Sequence, residues 1–179
     1  QVFVFLSSRL ALIAVPVLQR LSRKGIFPHK GLHHATAWGI AVTARLRPGE
    51  VVVDPMVGKG SVLWEAALLC PSCAFIGVDS DMLQLDKAQA NANSIALESR
   101  CSLTHGDARR LPLATSTADV VLCDLPYGLQ HGDWSDIPEL YAQAMREVTR
   151  IIRPGGRALL LTSADFADTL EVAAAAAAA

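Results

Sequence analysis

The sequence predicts an α/β fold: a mostly parallel, doubly wound sheet with helices on both faces, preceded by a short N-terminal β-hairpin. Three observations lead there. From residue 35 to residue 163, short apolar runs alternate with longer stretches whose apolar side chains recur at helical spacing. That rhythm marks βαβ units, whose crossovers lay helices on either face of a parallel sheet. Several of the short runs are apolar throughout, as strands buried on both faces must be. Finally, 51% of the 179 residues are apolar, enough for one domain with a sizeable core and too many for a disordered chain.

The elements follow in order. "VFVFLSSRLALIAVPVL" holds two apolar runs split by Ser7-Ser8-Arg9, which reads as a β-hairpin. A basic loop punctuated by Gly and Pro, "LSRKGIFPHKGLHH", comes next. Residues 35–46 carry apolar side chains at helical spacing until "RPGE" stops them. "VVVDP" at 51–55 is a β-branched run closed by an acid, hence a buried strand, and residues 61–70 form a helix starting just past Gly60. "AFIGVDS" at 74–80 is the next strand, and 82–97 the next helix. "CSLTHGDA" at 101–108 is a third strand ending at Asp107, and "ADVVLCDLP" at 118–126 a fourth. "IPELYAQAMREVTRII" at 137–152 is an amphipathic helix ended by Pro154-Gly155-Gly156, and "RALLLTS" at 157–163 is the fifth strand.

Too few residues remain after Ser163 for two more strands and a helix, so a C-terminal antiparallel hairpin is expected to be missing. The tail "VAAAAAAA" has no caps, charges or periodicity, and residues 173–179 are set aside as a poly-alanine stand-in. The expected organisation is a hairpin and basic linker over 1–30, the main domain over 31–172, and the stand-in. Beginning at Gln1, the chain reads as a piece of something longer.

A net charge of −1 hides an asymmetry. Residues 1–50 hold seven Arg and Lys against Glu50 alone, a local charge of +6, so the remainder carries −7. A basic leading segment beside an acidic body fits a polyanionic partner approaching one side, although a solvated face reads the same way. Cys70 and Cys73 form a C-x-x-C, but Cys101 and Cys123 complete no second pair, so the cysteines read as structural and no disulfide framework is expected. His33, His34, His105 and His131 share no metal-ligand spacing, and no metal is expected. Arg9 interrupts the leading apolar run, which also lacks a basic flank and a cleavage site, and no membrane association is expected.

An open parallel sheet binds its ligand beyond the carboxyl ends of its strands. The first strand runs into "DPMVGKGS", where Gly58 and Gly60 let the backbone turn tightly and approach a ligand closely. Asp79 ends the second strand, 25 positions after Asp54, where an acid accepts hydrogen bonds from ribose hydroxyls. Asp81 reads as a helix cap. Asp107 is placed to meet the exocyclic amine of an adenine, and Asp124 ends the fourth strand. Acids at four successive strand ends describe an adenosine-containing cofactor lying across the tips.

"DPMVGKGS", "GVDS", "HGDA" and "CDLPYG" resemble, in order, the motifs of a class I S-adenosylmethionine-dependent methyltransferase. "DLPYG" is similar to the D/N-P-P-Y/F motif of amino-group methyltransferases. With "KGLHHATAW" and "DPMVGKGSVLWEAA" in front of it, residues 26–165 resemble the THUMP-domain family of RNA guanine-N2 methyltransferases, on its eukaryotic branch. The resemblance implies a Rossmann-like fold, S-adenosyl-L-methionine held by Asp54, Pro55, Gly58, Gly60, Asp79, Ser80, Asp107 and Ala108, and catalysis at Asp124, Pro126 and Tyr127. It implies RNA as partner, tRNA or a small nuclear RNA, and a small zinc-binding activator subunit that covers an apolar surface. A cytoplasmic or nuclear setting goes with these. The departures are Leu125 in place of a second proline and Lys59 inside the glycine turn.

On this reading Asp124 accepts one N–H of an exocyclic amine, and the Leu125 or Pro126 carbonyl accepts the other. Both turn the nitrogen lone pair toward the methyl donor, which is catalysis by positioning. Pro126 fixes the turn, and Tyr127 offers a face to the target base. Trp38 and Trp64 read as core, and Trp134 as an exposed candidate for RNA contact. Two other readings compete: an amino-methyltransferase acting on DNA adenine or a protein amide, and a methyltransferase-fold subunit that binds without catalysing.

Overall fold

A computed structural model describes residues 3–6, 11–14, 27–97, 100–127 and 134–178. The leading hairpin is present as β1 (Phe3–Leu6) and β2 (Ala11–Ala14), antiparallel with Phe3 opposite Ala14. The main sheet is built from β3 (Val51–Asp54), β4 (Ala74–Asp79), β5 (Cys101–His105), β6 (Ala118–Asp124) and β7 (Ile152–Leu161). Its order is β5-β4-β3-β6-β7, and every neighbouring pair is parallel. The chain steps outward from β3 to β5, then returns to lay β6 on the other side of β3. This reversal creates the crevice that such sheets use for ligands, between the tips of β3 and β6.

The helices are α1 (His34–Thr43), α2 (Ser61–Leu69), α3 (Met82–Asn93), α4 (Ile137–Ile151) and α5 (Ala167–Ala178). Two core clusters show the layering. Val52, Val120 and Leu122 pack with residues of α1, α2 and α3, while Val53, Val121 and Cys123 pack with residues of α4 and α5. Alternate side chains of β3 and β6 thus feed opposite layers, as the pleat requires. In α4, Pro138 sits in the first turn, where its missing N–H costs nothing. Ile137, Tyr141, Ala144, Met145 and Val148 then bury one stripe.

At the sheet end opposite the crevice, Arg157 of β7 donates to both oxygens of Glu50 at 2.8 and 2.9 Å and to the Ala44 and Arg45 carbonyls. One guanidinium, from the middle of β7, thus ties the end of α1 to the start of β3.

Several boundaries differ from expectation. The first helix stops at Thr43, and Arg45 takes φ 47°, which no helix tolerates. The third strand stops at His105, leaving Asp107 in the following loop, where it forms an isolated bridge with Arg110. Pro154-Gly155-Gly156 does not separate α4 from β7, since β7 starts at Ile152. A register shift between Ala118 and Val120 and the φ of 80° at Gly155 absorb the sequence there. Among the described residues no strand follows β7, but the alanine-rich tail is helical, and Ala173 of α5 is buried against the α4 layer. Trp64 is fully buried, whereas Trp38 is 47% exposed and is not core.

Candidate active site

The turn after β3 is held from below. Asp54 is 2% exposed, and its Oδ1 accepts the Met56 N–H at 3.0 Å. Burial pushes its pKa up to about 8, although the Met56 N–H and the Cys123 thiol both favour the carboxylate. Asp54 therefore supports the turn from inside the sheet and does not lie open at the tips. Pro55 is buried beside it. Gly58 and Gly60 take φ 52° and 79°, conformations that L side chains rarely adopt. A side chain at Gly58 would project into open space, while one at Gly60 would overlap the Trp64 indole nitrogen.

Asp79 joins the strand tip to this turn. Its Oδ2 accepts the Gly58 N–H at 2.7 Å, and its Oδ1 accepts the Asp81 N–H at 2.9 Å. Two of about four carboxylate lone-pair positions are thereby used. Ser80 is exposed, and its carbonyl lies 3.0 Å from His105 Nε2. Asp81 caps α3 by accepting the Leu83 N–H at 2.8 Å.

Asp107 lies in the loop after β5 and forms a local ion pair. Both its oxygens accept from the Arg109 side chain at 2.6–3.0 Å, and Oδ1 also takes the Arg109 backbone N–H. The Arg109 guanidinium holds its carboxyl below the usual range. The side chain two residues on thus pairs with the acid that was expected to meet an adenine amine. Ala108 is buried.

Asp124 ends β6 at the other lip of the crevice. Its Oδ1 is buried with no hydrogen-bond partner among the described residues, and burial raises its pKa to about 6. The unpaired acceptor is costly unless something fills it. Leu125, the departure from the proline pattern, is 1% exposed, and its N–H donates to the Leu161 carbonyl at 2.9 Å. A proline there would forfeit both that bond and the fit to the core. The Pro126 carbonyl accepts the Tyr141 hydroxyl at 2.9 Å, and that hydroxyl also meets Thr162 Oγ1 at 2.7 Å. Tyr127 is half-buried against the core cluster of the α4 side. Gly128 and His131 lie outside the described residues, as does the side chain of Trp134.

Sequence reasoning missed two residues that hold the site. Tyr141 locks the turn after Asp124. Asn91, 1% exposed, exchanges two hydrogen bonds with the His29 backbone and donates to the Lys59 carbonyl at 2.8 Å. It staples the segment before α1 to the glycine turn. Lys59 adds a direct tie through its Nζ to the Lys30 carbonyl at 2.8 Å. A signal for Asn91 was present: it falls in the apolar stripe Leu85, Ala88, Ala92 of α3.

His33 caps α1 through Nδ1 and stacks on His34, with both rings exposed. Cys73 donates its thiol to the Arg47 carbonyl at 3.1 Å and sits 3.3 Å from the Cys70 sulfur, consistent with a structural pair. Among the described residues no group of three or more His, Cys, Asp or Glu could hold a metal ion. No described helix is long and apolar enough to cross a membrane.

A family model described as RMKL-like, methyltransferase domain, matches residues 27–177. The chain is similar to the U6 snRNA (guanine-N(2))-methyltransferase THUMPD2 of Bos taurus, with 31% identity over 166 residues that cover 92% of this chain and 32% of that protein. It is 30% identical over 166 residues to the tRNA (guanine(6)-N(2))-methyltransferase THUMP3 of Mus musculus, covering 84% of this chain and 33% of that one. The crystal structure of TrmN from Thermus thermophilus matches with a TM-score of 0.75 and 31% identity, over 91% of this chain and 48% of that one. The chain thus spans about a third of the length of these curated relatives.

Proposed function

Because this chain belongs to the RMKL-like methyltransferase domain family, we propose that the intact protein is an S-adenosylmethionine-dependent RNA methyltransferase that forms N2-methylguanosine. The observation that carries this is the buried Oδ1 of Asp124 at the sheet's crossover crevice, which has no partner among the described residues. Relatives whose names specify guanine-N2 methylation of U6 snRNA and of tRNA support the same chemistry.

The residues at the tips fit the cofactor. Gly58 leaves open space where a side chain would otherwise stand, and Asp79, held in place by two backbone donors, keeps lone pairs for ribose hydroxyls. S-adenosylmethionine supplies a methyl group activated by a sulfonium. The chain's part is to place a weakly basic arylamine. Asp124 accepts one amine N–H, and the Leu125 or Pro126 carbonyl accepts the second, the Pro126 carbonyl keeping one lone pair beside the Tyr141 hydroxyl it already takes. The lone pair then points at the methyl group, and Asp124 takes the proton as the new bond forms.

The substrate is tRNA or a small nuclear RNA, met in the cytoplasm or nucleus. The excess of basic residues before position 51 supports a polyanionic substrate. A small zinc-binding activator is the expected protein partner, supported by the exposed Trp38, Val42, Leu68 and Leu69 of α1 and α2. Incubating the intact protein with total RNA and labelled S-adenosylmethionine, followed by nucleoside analysis, tests the proposal. Label in N2-methylguanosine is the expected result. Label in N6-methyladenosine or in protein, or none, contradicts it.

A further inference from the structure

A second buried polar atom near Asp124 lacks a partner. The hydroxyl of Ser163, two residues past the end of β7, is buried and makes no hydrogen bond among the described residues. Its position makes this unusual. Ser163 is the N-cap of a short 3₁₀ turn, where serine normally spends its oxygen on a backbone N–H. Here the Ser163 carbonyl takes the Phe166 N–H at 3.1 Å, and the side chain caps nothing.

Strand alternation says which way that side chain faces. Leu122 of β6 and Leu159 of β7 pack in the α1–α3 layer, while Cys123 and Leu160 pack in the α4 layer. Thr162 meets Tyr141 of α4, so the alternation persists past the strand end. Ser163 keeps extended backbone, with φ −75° and ψ 159°. Asp124 and Ser163 therefore share the α1 side of the sheet, at the tips of two paired strands about 4.8 Å apart. Asp124 pairs with Leu161 in the register, so Ser163 stands two residues, roughly 6–7 Å, further along on the same face, a diagonal neighbour of Asp124.

An ionised carboxylate and a hydroxyl on one face, at diagonal positions of two paired strands, offer an acceptor and a donor that can converge on the edge of one bound base. The complementary edge on a base is an amino group beside a ring nitrogen, which guanine presents as N2 and N3. We propose that Ser163 is a second contact to the target base, donating its hydroxyl to guanine N3 while Asp124 accepts an amine N–H. One hydrogen bond leaves the base free to rotate about it. The second fixes the ring plane, and with it the direction of the amine lone pair. This deepens the guanine-N2 reading and rests on it.

The test uses the intact protein and a short RNA carrying the guanosine that nucleoside analysis identifies, beside the same RNA with 3-deazaguanosine at that position. Ser163→Ala should lower kcat/KM on the guanosine RNA by about tenfold, with cofactor affinity unchanged. Wild type and Ser163→Ala should be equal on the 3-deaza RNA, which has no N3 to receive the bond. The melting temperature of Ser163→Ala should not fall, because a buried hydroxyl without a partner contributes nothing to the fold. Three results overturn the inference: full activity of Ser163→Ala on guanosine, the same loss on both RNAs, or a loss of activity that tracks a lowered melting temperature. If wild type methylates no guanosine, the guanine-N2 reading fails as well. If it does and Ser163→Ala is silent, this inference fails alone.

Discussion

Asp124 is asked to accept a hydrogen bond, and it does so fully as a carboxylate. Burial raises its pKa to about 6, so its charged form is lost just below neutral pH. Turnover of the intact protein on RNA should therefore rise with pH through about 6. Asp124→Asn keeps an amide oxygen that accepts at any pH, and its slower reaction should lack that limb. A wild-type rate that stays flat from about pH 5 to 8 would detach Asp124 from the chemistry. Asp54 makes a different prediction, about stability. Its carboxyl keeps its proton to about pH 8 in the fold, against an ordinary value of 3.8. The folded state then binds more protons than the unfolded one between those values, so stability falls as pH rises through that window. Asp54→Asn has nothing to titrate there. Its urea midpoint should gain on that of the wild type as pH rises from about 4 to 8, and a constant gap would contradict the protonated Asp54.

The turn after β6 depends on α4. Tyr141 reaches back to the Pro126 carbonyl and the Thr162 hydroxyl, so Tyr141→Phe keeps the packing and removes the tie. It should cost about 1 kcal/mol in urea unfolding and roughly tenfold in kcat, while cofactor affinity stays put. An unchanged kcat would show that the turn holds itself. No spacing in the sequence announces this tie, because it joins a helical side chain to a backbone carbonyl 15 residues away. Asn91 stood out in the apolar stripe of α3, but its partner, 62 residues distant, did not. What could be read were the strands of the sheet. Buried parallel strands are continuous apolar runs, and the acids closing β3, β4 and β6 marked their tips. Asp107 was misplaced because β4 itself ends at Asp79, opposite His105, and leaves β5 nothing to pair with beyond that residue. Arg109, visible in "GDARR", was the warning that this acid had a local partner. Leu125 was legible as a departure, but not its reason, which is the ladder bond to Leu161.

Across the whole molecule, the strand order brings the ends of β3 and β6 together, and the function rests on that juxtaposition. Asp79 and the glycine turn sit on one side of the crevice, where the cofactor is expected. Asp124, Tyr141 and Ser163 belong to β6, α4 and the end of β7 on the other, where the base is expected. The two halves should therefore fail separately when mutated. Asp79→Ala should weaken S-adenosylmethionine binding by roughly 1–3 kcal/mol, from ribose hydroxyls left without an acceptor. Asp124→Ala should leave that binding near normal and strike the chemical step. The most direct test of the account is the kcat of Asp124→Ala in the intact protein on its RNA, with cofactor affinity measured by calorimetry beside it. The expected result is a fall in kcat on the order of 10²–10³ at unchanged affinity, as for losing one positioning group in the transition state. If Asp124→Ala keeps most of its turnover, or loses the cofactor as readily as Asp79→Ala does, the strand-end acid is structural and the proposed orientation of the amine is wrong.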